Sequence, residues 1–503
     1  MKQTFLTYSI LLLSASLCTN AQTKSTTEAI SKVETLGTGI NTLALDNPAI
    51  MQFKQAQSLS HVNLSYFYDK QSQAVDRRLG DGDKGFSFDA KTYIVHKNTR
   101  IWGHADYING KQTNVRWNET SDMEMLYPYL MADSTGGNMK YERYCFGGGF
   151  SQFNGKFGWG GSLDYNAGLY HRSVDPRPKN ITSLFIVSLG GIMKVTDGYV
   201  LGIGGEYTRY KQSNDVTFYS ELGQDKLYHL IGMANDYVRF AGQSYSTTYS
   251  GNKGMAMVNF YPTRLNGFNA SVKAGKMTIE NVLISLNKLP IAKLSDVCLQ
   301  AEAGFRFLDS YAVRGFFDWQ RRHGEENIFG DPQSGSYPQI ASLNMYKRNR
   351  VNVGVELLAE SRPDAKFYWG IQPKVVYSHH NQTYATPISR ERINTVTTSL
   401  KAQIGTHIGR TFNTFSVNGL YATATSSELS LGDTSQCQPG LVSVVQDAFL
   451  YRSHANGRLV FIAETNIPVK DKCAICVSVN YTHGWYYDKT YENSVTVSAG
   501  VKF

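Results

Sequence analysis

Residues 493–503 read NSVTVSAGVKF. Val495, Val497, Ala499, Val501 and Phe503 share one side of an extended chain; Ser494, Thr496, Ser498, Gly500 and Lys502 share the other. Successive strand side chains point to opposite faces, so this is a strand with one apolar and one polar face. A soluble sandwich uses such strands too. Recurrence therefore decides the fold.

The pattern recurs along the chain. Leu299, Ala301, Ala303, Phe305 and Phe307 oppose Gln300, Glu302, Gly304 and Arg306. Val351, Val353, Val355 and Leu357 oppose Arg350, Asn352, Gly354 and Glu356. Phe367, Trp369, Ile371, Val375 and Tyr377 oppose Tyr368, Gly370, Gln372 and Lys374. Ile181 to Met193 fits less cleanly, being apolar on both faces. Short connections at His96–Thr99, Gln152–Lys156, Val195–Gly198, Thr263–Gly267, Asp309–Ser310, Glu360–Lys366, Arg410–Thr411 and Asn466–Asp471 separate the strands. Between them lie longer polar, tyrosine-rich segments such as Lys111–Asn138, Lys211–Ser250, Arg322–Tyr346 and Ser426–Ala455. Greek-key crossings give no reason to sort loops by length in this way. An up-and-down transmembrane barrel does, with tight turns at one rim and extended loops at the other. The count is about 18 strands (range 14–18), with both ends at the short-turn rim.

The rest of the chain agrees. Met1 to Ala21 carries a basic start at Lys2, an apolar stretch from Phe5 to Leu17 and a small-residue cleavage site at Thr19-Asn20-Ala21, which is the layout of a secretory signal. Cys18 follows Leu17, where lipid attachment wants a small residue. No later run approaches the 18 apolar residues of a spanning helix, so strands must do the spanning. Mean hydropathy of −0.32 is ordinary because half of each strand is polar. The 32 Tyr, 25 Phe and 45 Gly suit aromatic girdles and a crowded, twisted wall. A net charge of +9 suits an anionic surface such as lipopolysaccharide, but the basic residues are scattered, which argues against nucleic acid. Cys145, Cys298, Cys437, Cys473 and Cys476 make no zinc spacing beyond one C-x-x-C, and a disulfide through Cys437 stays open. No cofactor is expected.

The organisation read from the chain is a signal at 1–21, a periplasmic or lumen-inserted segment at 22–59 and a barrel at 60–503. Within the segment, Asn41-Thr42-Leu43-Ala44-Leu45-Asp46 runs into Asn47-Pro48-Ala49. That Asn-Pro-Ala element resembles one near the start of the long-chain fatty-acid transporter superfamily, whose N-terminal segment plugs the lumen. Any Asn-Pro pair also makes a good turn. Over its length the chain resembles the uncharacterised outer-membrane β-barrel families of the Bacteroidota, on the signal ending Ala21-Gln22, the aromatic alternating strands and the terminal Val501-Lys502-Phe503. The resemblance implies the outer membrane, and Phe503 as the residue that barrel-assembly machinery reads.

With polar faces inward, the candidate lumen-lining charges are Lys273, Arg306, Arg314, Arg350, Lys374 and Lys401, with Lys502 beside them, against Asp164, Glu206, Glu302, Asp318 and Glu356. Mixed signs form ion pairs that brace a wall; the alternative is a slightly anion-preferring pore. No catalytic or metal site is expected. His379 and His380 are adjacent and point apart, and neither H-E-x-x-H nor G-x-S-x-G occurs. A hydrolase assembled from distant strands stays an alternative. Tyr219, Tyr228, Tyr237, Tyr245 and Tyr249 suit either surface recognition or loops folded over the mouth. The reading is a passive channel or transporter for a small or hydrophobic solute. An accessory barrel with a surface protein partner, and an adhesin, are the alternatives. A TonB-energised receptor is disfavoured because, by resemblance, it needs 22 strands and a far larger plug.

Overall fold

The computed structural model describes residues 26–40, 42–220, 226–242, 246–333, 335–362, 365, 367–470 and 472–503. The readings of residues 1–21, and of Asn41, Tyr245 and Asp471, fall outside these. The wall comprises β1 (Leu59–Gln71), β2 (Gly82–His96), β3 (Thr99–Val115), β4 (Gly137–Phe153), β5 (Phe157–His171), β6 (Arg177–Thr196), β7 (Tyr199–Thr217), β8 (Ser246–Pro262) and β9 (Gly267–Leu283). It continues through β10 (Leu289–Phe307), β11 (Tyr311–Phe329), β12 (Gln339–Glu360), β13 (Phe367–Tyr384), β14 (Ser389–Ile408), β15 (Thr411–Ser430), β16 (Asn456–Lys470), β17 (Cys473–Trp485) and β18 (Tyr491–Lys502). Each strand is antiparallel to the next, and β1 pairs with β18 from His61↔Lys502 to Gln71↔Glu492. The 18-stranded sheet is closed and has no free edge.

Outward side chains are apolar where lipid would wet them. Val353, Val355 and Leu357 on β12 are 45%, 52% and 48% exposed. Aromatic rings mark two bands, the girdles expected at the two interfaces. Tyr199–Phe260 and Phe307–Tyr311 stack near the short turns, at 4.8 and 5.5 Å; Tyr66–Phe86 and Tyr107–Tyr144 meet further up, from mid-strand toward the loop side, at 5.1 and 4.9 Å.

The strands run further toward the loop rim than their alternation indicates. The connection expected at Arg322–Tyr346 is only 330–338, because β11 continues to Phe329 and β12 starts at Gln339. The connections expected at Lys111–Asn138 and Lys211–Ser250 also shrink, to 116–136 and 218–245. The physical reason is length. β12 has 22 residues, whereas about 9–11 span the hydrocarbon. Beyond that depth water wets both faces, and Arg321, His323 and Glu325 break the pattern although the strand goes on.

The remaining elements lie inside the wall or over its rim. α1 (Thr26–Val33) and three 3-10 turns, Leu36–Gly39, Leu43–Asp46 and Ile50–Phe53, lead into β1. α2 (Met123–Leu126) and α3 (Pro439–Ser453) belong to long connections. α3 occupies what reads as an irregular loop. Proline opens it, and Leu441, Val444, Val445 and Ala448 share one buried face at helical spacing.

Candidate functional site

The N-terminal segment enters the short-turn end of the lumen and is tied to strands around the perimeter. Tyr368 Oη accepts from the Leu36 amide (2.7 Å), and Glu360 Oε2 from the Gly37 amide (3.0 Å). Arg314 donates to the Ile40 carbonyl at 2.7 Å, and Lys273 meets Asp46 at 2.8 Å. Asn47 is fully buried: its Nδ2 donates to the Ile203 carbonyl (3.1 Å) and Asn259 Oδ1 (2.9 Å), and its Oδ1 accepts from the Ala49 amide (3.0 Å). Gly190 makes that seat. A Cβ there would lie 1.8 Å from Asn47 Oδ1, so only glycine fits. Tyr93 donates to the Met51 carbonyl (2.6 Å), while Lys502 joins Glu34 and Glu464. Burial pushes the Glu34 carboxyl up to about 7, against the pull of Lys502. The inner apolar residues of β6 that blurred its alternation have partners here: Ile192 packs with Ala44, Ala49 and Ile50.

Loops close the other end. Trp117, Leu126, Tyr129, Leu130, Phe240, Leu441 and Val444 form a buried apolar cluster with Tyr249 and Tyr346 of the wall. Polar pairs seat it. Arg172 bridges Glu119 and Asp133, all three buried. Arg322, 2% exposed, holds Asp296 (2.7 and 2.6 Å) and the loop carbonyls of Glu124 (3.1 Å) and Tyr127 (2.6 Å). Burial alone would raise the Glu124 carboxyl, but Arg348 and Arg350 hold it below the ordinary range. Tyr228, Leu230 and Phe240 of the tyrosine-rich connection are buried while Tyr219 is 70% exposed, so much of it folds into the mouth; Tyr249 belongs to the wall beneath it.

The candidate charges divide by depth. Glu206 bridges Lys253 and Lys273; Arg314 bridges Glu302 and Glu356; Arg306 pairs with Glu360 at 2.5 Å. These brace the wall and hold the N-terminal segment. Arg350 serves the loops through Glu124. Lys374 lies over the Phe316 ring at 4.8 Å, Asp164 is 3.6 Å from His104, and Asp318 and Lys401 have no ion pair among the described residues. With Lys91 and Arg143, which stay exposed, they form a solvent-accessible belt between the two closures. His379 and His380 serve different neighbours, Asn394 (2.6 Å) and Glu391 (3.4 Å). The five described cysteines are free, Cys437 included. Phe503 closes the seam with Ser60 through bonds of 2.7 and 2.8 Å. Glu34, Asp46, Glu124 and Glu360 escape a reading by periodicity, because three lie in segments without it and Glu360 ends its strand.

A closed up-and-down barrel, apolar outside and polar within, is a β-barrel of the outer-membrane type. Residues 48–503 match the family described as "Family of unknown function (DUF6850)", and the chain belongs to it. No curated protein sequence matches it. Among solved structures it is similar to the siderophore receptor PiuA from Acinetobacter baumannii (TM-score 0.41, 9% identity, 89% of this chain and 82% of that chain). It is also similar to the ferric yersiniabactin uptake receptor FyuA from Yersinia pestis (TM-score 0.39, 8% identity, 89% of this chain and 80% of that chain).

Proposed function

We propose that this protein is a gated transporter of the cell outer membrane, carrying a small or hydrophobic solute through a lumen shut at both ends in its resting state. The N-terminal segment is the plug of the short-turn, periplasmic side. One observation carries the reading: a solvent-accessible, mixed-charge belt lies between two closures, and the lower closure is a single segment that continues covalently into β1 and is otherwise held by non-covalent ties. A purely structural barrel gains nothing from hydrating its interior, since polar groups buried there must find partners. Planar-bilayer current and liposome swelling test this. The full chain should conduct poorly, and removal of residues 26–58 together with the rim connections 116–136, 218–245 and 431–455 should raise conductance at least tenfold, whereas removal of either closure alone should not. Equal silence of the full chain and the doubly trimmed barrel, with a fixed partner co-purifying, would favour the accessory role.

A basic row on the outside supports lipopolysaccharide as the surrounding lipid. Lys84↔Lys111, Lys111↔Lys140, Lys140↔His171 and His171↔Lys179 are consecutive cross-strand pairs on β2 to β6. Like charges directly opposite repel. None of the four lysines has an ion pair among the described residues, and a groove of about 390 Å³ runs past three of them beside Tyr66 and Phe86. Lipid phosphates would neutralise the row while acyl chains meet the rings. In this reading residues 1–21 direct secretion and Phe503 is the assembly signal.

A further inference from the structure

Three potential metal ligands, His104, Asp106 and Cys145, meet on the inner face of β3 and β4, and Asp164 of β5 approaches His104. Two cross-strand rungs build the site. One joins His104 to Gly147 and Gly147 to Asp164; the next joins Asp106 to Cys145 and Cys145 to Asn166. Alternation sends all these positions to the lumen, because their strand neighbours Tyr144, Phe146 and Leu163 face outward.

Gly147 makes the first rung work. A Cβ there would stand 2.1 Å from Asp164 Oδ1, so the carboxylate leans across the bare backbone toward His104, two strands away. It stops 3.6 Å from His104 Nε2, beyond hydrogen-bonding range. Cys145 Sγ lies 3.9 Å from the same nitrogen, and the ligand atoms of His104, Asp106 and Cys145 lie within 4.8 Å of one another. Zinc bonds of about 2.0–2.3 Å arranged tetrahedrally place neighbouring ligand atoms about 3.3–3.8 Å apart. The separations of 3.6 and 3.9 Å about His104 already fit that range closely, and Asp106 and Asp164 would swing toward the ion from their present positions.

We propose that His104, Asp106, Cys145 and Asp164 bind a borderline divalent ion of the Zn²⁺ class on the lumen wall, a site independent of whether the barrel conducts. A thiol and an imidazole among two carboxylates select such an ion over Ca²⁺ or Mg²⁺. His104 and Asp164 side chains are 26% and 30% exposed, so an ion in the solvent-accessible belt reaches them directly. On binding, the Cys145 S–H bond breaks, the metal–sulfur bond forms and the proton passes to water. The thiol hydrogen-bonds Asn166 Oδ1 before it is displaced. Lys91, the register partner of His104, offsets the residual negative charge.

Detergent-purified full-length protein, stripped of metal, should be titrated with Co²⁺ and then with Zn²⁺. Co²⁺ should give the visible bands of tetrahedral coordination and a thiolate charge-transfer band, and Zn²⁺ should erase both. Cys145→Ser should abolish the charge-transfer band, while Cys298→Ser on β10 should keep it. Losing a ligand should weaken Zn²⁺ binding by no less than losing an outer-shell partner, about 10–100-fold. Asp164→Asn, which preserves volume, should show that loss even if the cysteine variant misfolds on a heat-modifiability gel. No bands in the parent protein, bands unchanged by Cys145→Ser, or unchanged Zn²⁺ affinity in Asp164→Asn would each overturn the site.

Discussion

Asn47 shows how one side chain can hold a whole closure. Its amide is fully buried, and both donors and the acceptor are engaged. Asn47→Ala strands the Ile203 carbonyl and Asn259 Oδ1, so docking of the segment should weaken by about 1–3 kcal/mol. Faster protease cleavage before Leu59, with an unchanged wall, would register it. Glu34 adds a pH term. Its carboxyl rises from 4.5 to about 7 on docking because of burial, so docking is fully supported below 4.5 and loses that support as pH climbs through about 7. Release of the segment should therefore increase between pH 5 and 8, and Glu34→Gln should flatten the profile. Period two assigns a residue such as Lys273 to a face; it names no partner. Asp46 and Glu34 come from a stretch without period, which hid the ties.

At the scale of the element, the strands were legible wherever hydrocarbon enforced contrast between faces. Asn493–Phe503 and Val351–Leu357 are read directly because lipid demands one sign of polarity and water the other. The upper part of β11 was hidden for the converse reason, since Arg321, His323 and Glu325 stand above that boundary. α3 was hidden by its short apolar face within a polar loop. The basic row yields a prediction at this scale, since no lysine in it acts alone. Replacing Lys84, Lys111 and Lys140 together with glutamine relieves the repulsion. In plain detergent the variant should melt at or above the parent's temperature, whereas added lipopolysaccharide should raise the parent's Tm by several degrees and the variant's little. Equal shifts in both proteins would remove the row from the lipid interface.

For the molecule as a whole, strand number, antiparallel closure and the alternation of tight and extended connections were legible, because each repeats many times. The filling of the lumen was not, since it depends on contacts between residues hundreds of positions apart. Those contacts have a mechanical consequence. From its N-terminal side the segment meets the wall in succession: Glu34 on β18, Leu36 on β13, Gly37 on β12, Ile40 on β11, Asp46 on β9, then Asn47. A tug on that side loads one attachment at a time, as in peeling tape, rather than shearing all of them together. Single-molecule extraction should trace a run of small force steps with no one large rupture. A weak periplasmic pull could then empty the lower lumen while the surrounding cylinder keeps its shape.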